Sequence, residues 1–321
     1  MIQSSTSPQH PAVDPAKANN GSVGWLSAHI PVRGSPYSAD CDATIRELVT
    51  PLIDNCRRTQ MAKQCFFIRY SEGGPHIRLR ILPEVDRHAE VRTAIDASWM
   101  TYFRQQGPHA VPGRDLQWLN YEPELDRYGG QMAMPIAERL FDHSTTLACE
   151  LLTPQVSMDR SIRLGRAMLA TLTALHTFLH RKESVRQFAR WYSQNYLLTQ
   201  RMDDLERHRL TQAFDANLLP DIEGMREHLL HAWHLLSEHQ PLFPTLDSYR
   251  EALEDYRNNM GKLLGERDIV QHSQPLNGWR RAAWSFGTSM IHMTNNRLGV
   301  TITEESYIMH GLRHLLDVPS S

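Results

Sequence analysis

The chain has 321 residues, room for one large domain or two ordinary ones at about 150 residues each. Apolar residues make up 41% and charged residues 22%, the usage of a folded globular chain, which argues against collagenous, disordered and membrane classes. Lys and Arg number 34 against 36 for Asp and Glu, so a net charge of -2 supplies no bulk field for nucleic acid or an anionic membrane.

The N-terminus has no charged start followed by an apolar run, and no window approaches about 18 consecutive apolar residues. Neither a secretion signal nor a membrane span is expected, and the expected location is the cytoplasm. Cys41, Cys56, Cys65 and Cys149 form no CxxC or Cys/His ligand spacing, so they read as reduced, packed thiols with no zinc site and no disulfide framework. Many of the 17 histidines, such as His208, His228, His231, His234 and His239, fall on polar helix faces and read as solvated side chains.

Residues 1–22, rich in Ser, Pro, Asn and Ala, read as a disordered tail. From Trp25 the alternation of Trp25, Ser27 and His29 with Leu26, Ala28 and Ile30 predicts a strand stopped at Pro31. Asp40 or Asp42 can cap a following helix carrying Ile45, Leu48, Val49, Leu52 and Ile53, with a kink at Pro51. CFFIRY (65–70) and HIRLRIL (76–82), joined by SEGGP, predict a hairpin whose paired glycines supply positive φ. A helix carrying Val91, Ile95, Trp99 and Phe103 and a strand over Leu116 to Tyr121 complete the order β-α-β-β-α-β. That order is the one found in a ferredoxin-like split βαβ unit, with an antiparallel sheet and both helices on one face. After Gly130 strand signals cease, and helical periods run near 131–152, 159–181, 185–200, 221–238, 246–263, 278–297 and 303–316. No repeat of fixed period occurs. The expected class is α+β, with a ferredoxin-like part over 23–130 and a helical part over 131–316.

Three segments can carry chemistry. In HIRLRIL the side chains alternate, so Ile77, Leu79 and Ile81 face one way and His76, Arg78 and Arg80 the other. A solvated sheet face would account for them. If the helical part instead covers that face, the enclosed arginines need anions, from a protein carboxylate or a substrate, through forked hydrogen bonds. YEPELDRYGG places Glu124 three residues before Arg127 and ends in two glycines just ahead of a predicted helix start, which would reinforce anion binding; a loop with a surface ion pair fits equally well. Ser285, Ser289, His292 and Asn296 share one face of a late helix, where His292 is either a satisfied core histidine or a proton-transfer group. GxGxxG after a strand, GxxxxGK[ST], HExxH and GxSxG are missing, as is the glycine-containing aromatic signature of RNA-binding sheets.

WLSAHIPV, FFIRYSEGGPHIRLRI, YEPELDRYGG with AERLFDHST behind it, and SMIHMTNNRL occur in an order that resembles the C-terminal elimination domain of class I lanthipeptide dehydratases, which also stands alone in thiopeptide pathways. The resemblance spans about residues 25 to 316 and implies that the two parts form one elimination domain. In that family a transfer domain esterifies Ser or Thr of a ribosomal precursor peptide from glutamyl-tRNA, and the elimination domain expels glutamate to leave a dehydroamino acid. The chain is too short for the transfer domain, so the resemblance implies a split system: the precursor peptide and a separate glutamyl transferase as partners, no direct nucleic-acid contact and no cofactor or metal. The family's motif positions hold Arg78, Arg80, Glu124, Arg127 and His292 here. The implied roles are arginines clamping the glutamyl group, Glu124 orienting an arginine and His292 moving the proton, with Glu124 as an alternative base if enclosure raised its pKa. Two other readings stand beside this one: a pyridine-forming thiopeptide cyclase joining two dehydroalanines in a formal [4+2] addition, and a non-catalytic presenter of the precursor peptide.

Overall fold

The computed structural model describes residues 24–106, 115–199, 202–266, 270–271, 274–275 and 279–316; the tail expected over 1–22 lies outside them. Strands β1 (Leu26–Pro31), β2 (Ala62–Tyr70), β3 (His76–Pro83) and β4 (Gln117–Trp118) form an antiparallel sheet in the order β2-β3-β1-β4. The hairpin turns at Gly73 and Gly74, both at positive φ. Register follows the pleat: Arg80 stands between Ser27 and Phe66, Arg78 between His29 and Ile68, and His76 opposite Tyr70. These residues share one face of the sheet, while Ile77, Leu79 and Ile81, all fully buried, point to the other.

Helices of the first part serve the apolar face. Helix α1 (Ala39–Thr44) runs through a π-type turn at Ile45–Val49 into α2 (Thr50–Arg58), which lies on β2. Pro51 sits in the first turn of α2, where the wide turn before it accommodates the hydrogen bond that proline cannot donate. The cap is neither Asp40 nor Asp42. Ser38 accepts from the amide of Cys41 at 3.3 Å, which leaves the Asp42 carboxylate to turn inward. Helix α3 (His88–Gln106) reaches β4, where the Trp118 indole donates to Asp96 at 3.0 Å. The strand expected over Leu116 to Tyr121 shrinks to two residues. Tyr121 finds its partners outside the ladder, its ring against Trp25 and Phe66 and its hydroxyl on Glu138.

The second part is helical: α4 (Met134–Leu151), α5 (Pro154–Met158), α6 (Arg160–Leu179), α7 (Lys182–Thr199), α8 (Asp204–Leu218), α9 (Ile222–Ser237), α10 (Pro244–Glu266), α11 (Trp279–Arg297) and α12 (Ile302–Leu315). Sequence periodicity misses α5, which is a single short turn of helix, and α8. Helix α8 buries only Phe214 and Leu218, so it presents no continuous apolar stripe, although Asp203 and Glu206 form a capping box at its start. A two-residue pairing of β5 (Val270–Gln271) with β6 (Gln274–Pro275) also lies where no strand is expected. Among the described residues no helix is long and apolar enough to cross a membrane.

Helices α4 and α11 lie against β2 and so cover the polar side of the sheet. A buried charge network joins the two parts. Asp42 pairs with Arg69 of β2 at 2.7 Å and with Arg163 of α6, all three almost fully buried. Burial works against ionising Asp42, but the two guanidinium groups outweigh it and hold its pKa below the ordinary carboxyl value. Arg69 also exchanges backbone hydrogen bonds with the Asn296 amide at 2.9 and 3.0 Å and donates to the Arg297 carbonyl at 3.1 Å. The mixed, helix-rich structure therefore closes over the face that carries Arg78 and Arg80.

Candidate active site

Arg80 is only 5% exposed, and among the described residues no carboxylate pairs with it. Its guanidinium bonds the Leu79 carbonyl at 3.3 Å and the His29 Nε2 at 3.2 Å, and it lies 5.5 Å from the centre of the Tyr121 ring. Among the described residues its Nε has no partner. Burial, then the neighbouring charge of Arg78, lowers the Arg80 pKa to about 10, so the group remains a cation at neutral pH. Arg78 is half-buried; its guanidinium stacks 3.2 Å over Tyr70 and its Nε donates to His76 at 3.2 Å. His29 stacks on His76 at 4.8 Å, and burial followed by the charge of Arg80 pushes its pKa down to about 3, so it is the neutral acceptor beside Arg80. This group therefore carries two cations and a neutral imidazole, a combination suited to anions.

A second polar group comes from the 121–130 turn and α11. Gly129 and Gly130 adopt φ of 86° and 87°, a left-handed pair that L side chains rarely occupy, and the Gly130 amide closes the turn on Leu125 at 2.7 Å. Helix α4 begins at Met134, further along than the glycines imply, so its free amides do not directly follow Gly130. The turn sets Arg127 beside Glu124 at 3.1 Å and beside the Ser289 hydroxyl of α11 at 3.4 Å. Glu124 is 59% exposed, without the enclosure that the alternative base reading asks for. Three residues beyond Ser289, His292 turns its Nδ1 to the Glu305 carboxylate of α12 at 3.0 and 3.2 Å. Glu305 is fully buried and also accepts from the Tyr192 hydroxyl at 2.6 Å.

A carboxylate facing Nδ1 favours the proton there and leaves the lone pair on Nε2, for which no partner is found among the described residues. The imidazole is 24% exposed and is thus reachable by a ligand. Tyr37 feels the same carboxylate: burial and then the charge of Glu305 raise its pKa.

The five sequence-derived positions thus fall into two groups, Arg78 and Arg80 linked through the stacked His76 and His29, and Glu124 paired with Arg127, with His292 on the same face of α11 as the Ser289 that Arg127 meets. Aromatic rings connect them: Arg80 to Tyr121, Tyr121 to Phe66, Phe66 to Phe141 at 5.4 Å, Phe141 to Tyr128 at 5.1 Å, and Tyr128 to the Arg127 guanidinium at 5.6 Å. Glu305, Tyr192 and His29 escape the sequence reading. Glu305 lies beside the capping pair Thr301 and Glu304, where an acidic residue ordinarily reads as helix-start chemistry.

Residues 25–316 match the family described as lantibiotic biosynthesis dehydratase C-term. The epidermin biosynthesis protein EpiB of Staphylococcus epidermidis is 21% identical over 161 residues, a match spanning 50% of this chain and 15% of EpiB. The crystal structure of TsrL superposes with a TM-score of 0.72 at 17% identity, over 91% of this chain and 93% of TsrL. TbtD, described as the pyridine synthase from thiomuracin biosynthesis, gives 0.65 at 17% identity over 91% and 96%. MibB, described as a tRNA-dependent lantibiotic dehydratase from Microbispora sp. 107891, gives 0.54 at 22% identity over 95% of this chain and 28% of MibB. The fold is shared with all three structures, and with its family match running over nearly the whole described length the chain belongs to the lantibiotic dehydratase C-terminal family.

Proposed function

We propose that the chain is a glutamate-eliminating lyase that converts glutamylated Ser or Thr of a ribosomally made precursor peptide into dehydroalanine or dehydrobutyrine. The observation that carries this reading is Arg80, a buried cation beside a second cation, with no carboxylate among the described residues to neutralise it. A buried charge is costly unless matched, and an incoming carboxylate is the match a forked guanidinium takes best. In elimination, the Cα–H bond gives its electrons to a new C=C bond while the Cβ–O bond breaks and releases the glutamyl group as a carboxylate. Arg78 and Arg80 hold the glutamyl group as negative charge grows on it, and Arg127, oriented by Glu124, holds its other polar end. His292 accepts the Cα proton at Nε2. Glu305, kept in place by Tyr192, is a positioning residue that fixes the imidazole tautomer and offsets the charge it gains.

This reading makes parts 23–130 and 131–316 one functional unit, and we read the sheet order with its two crossing helices as a ferredoxin-like split βαβ. It places the protein in the cytoplasm, acting with a tRNA-dependent glutamyl transferase as its partner. A second reading, a pyridine-forming cyclase, draws on the near full-length superposition on TbtD. Mass spectrometry separates the two. Incubation of the purified chain with a synthetic glutamylated peptide, without tRNA, releases glutamic acid if the lyase reading holds. Failure on that substrate, with loss of the leader segment from an already dehydrated peptide, establishes the cyclase instead.

A further inference from the structure

We propose that Asp215, His310 and His314 form a binding site for a divalent transition metal, with zinc as the best match. His310 and His314 stand one helical turn apart on α12, so both rings emerge on one face, with ring centres 4.6 Å apart. Asp215 comes from α8, and its carboxylate meets His310 Nε2 at 2.7 Å. One ligand atom from each of the three residues lies within 4.8 Å of the other two. Tetrahedral zinc with bonds near 2.0 to 2.1 Å needs donor atoms about 3.4 Å apart, a spacing that small side-chain rotations reach from here.

The frame behind the donors is fixed by apolar packing rather than by the donors themselves. Phe214, next to Asp215, packs against Tyr307 at 5.4 Å and against the His310 ring at 5.7 Å. Leu218 of α8 is fully buried, and its side chain approaches the backbone of Gly311 on α12. His310 is buried while Asp215 is 41% exposed, so solvent reaches the cluster from the aspartate side. Two imidazoles and one carboxylate select zinc or a neighbouring transition metal over calcium or magnesium, which take oxygen donors. Such an ion would tie α8 to α12, the helix that also carries Glu305. The proposal does not depend on the elimination reading.

Zinc titration of the chelator-treated full chain tests it, with affinity measured by competition against a chromophoric zinc chelator and melting followed by calorimetry. The H314A variant keeps the His310–Asp215 pair, and D215N keeps both histidines. The expected result is one tight equivalent for the wild type, a zinc-dependent rise in Tm, and affinity weakened more than about ten-fold in either variant, since even outer partners of a metal ligand matter by that much. Calcium leaves Tm unchanged. Equal zinc affinity in wild type and H314A, which would place the ion on other histidines, overturns the proposal, as does a Tm response to calcium matching that to zinc.

Discussion

Replacing Glu305 by Gln isolates the contribution of the carboxylate behind His292. Glutamine keeps an oxygen to accept from Nδ1 and from the Tyr192 hydroxyl, so the shape and hydrogen bonds of the site are retained while one charge is removed. Glu305 is fully buried, and its charge is therefore screened far less than that of a surface carboxylate. For charge centres about 4 Å apart and an effective dielectric near 20, the attraction to a developing imidazolium is about 4 kcal/mol. If most of that is felt only when His292 gains its proton, kcat/KM falls by about 10³. The assay is release of glutamic acid from a synthetic glutamylated peptide, followed by mass spectrometry, with Tm measured on the same preparation to establish folding. A folded variant within three-fold (about 0.6 kcal/mol) of the wild type would refute the reasoning and remove Glu305 from the proton transfer.

Arg80→Ala is expected to lower kcat/KM on the same peptide by at least about 10², the cost of losing one preorganised charge-stabilising donor. Arg80→Lys restores little, because a point charge cannot replace the planar fork; recovery to wild-type rates would show that any cation suffices. Asp42→Asn leaves Arg69 and Arg163 buried with their anion removed and should destabilise by about 3 to 5 kcal/mol at neutral pH, measured by denaturant unfolding. Because the Asp42 pKa is depressed on folding, its contribution is present above the unfolded carboxyl value near 3.9 and is lost as pH falls through the folded one. The wild type should therefore lose its advantage over the variant in acid, and a gap that is constant with pH argues against the assignment. Gly299→Ala combines φ of 72° with a Cβ placed 2.4 Å from Arg163 Nη1 and 3.0 Å from Arg69 Cζ. A loss of about 1 to 3 kcal/mol is expected in the same unfolding experiment.

Local pattern carried much of this structure into the sequence. The alternation in HIRLRIL sorts Ile77, Leu79 and Ile81 from Arg78 and Arg80, and the register repeats that division, since a strand has only two faces. The polar stripe of α11 likewise places Ser289, His292 and Asn296 on one side, where each finds a partner from another element. Features that depend on distant partners were not legible. Asp42 reads as a helix cap until Arg69 and Arg163 arrive from 27 and 121 residues away. Glu305 reads as part of a helix start until His292 and Tyr192 fold against it. Helix α8 lacks an apolar stripe because it lies at the surface, and Tyr121 leaves its strand because Glu138 and Phe66 offer its ring and hydroxyl more than the ladder does.

The knot of charge around Asp42 also bears on how the chain is made. Arg69 donates to the carbonyl of Arg297, 228 positions later. At about 5 to 20 residues per second a ribosome takes roughly 11 to 46 s to cover that distance. During that interval α4 can settle on the sheet, with Phe141 against Phe66 at 5.4 Å, but the contribution of α11 is still missing. The sheet is synthesised first, yet its cover is completed last, and expression yield should respond to chaperone supply more than to any local change in strand propensity.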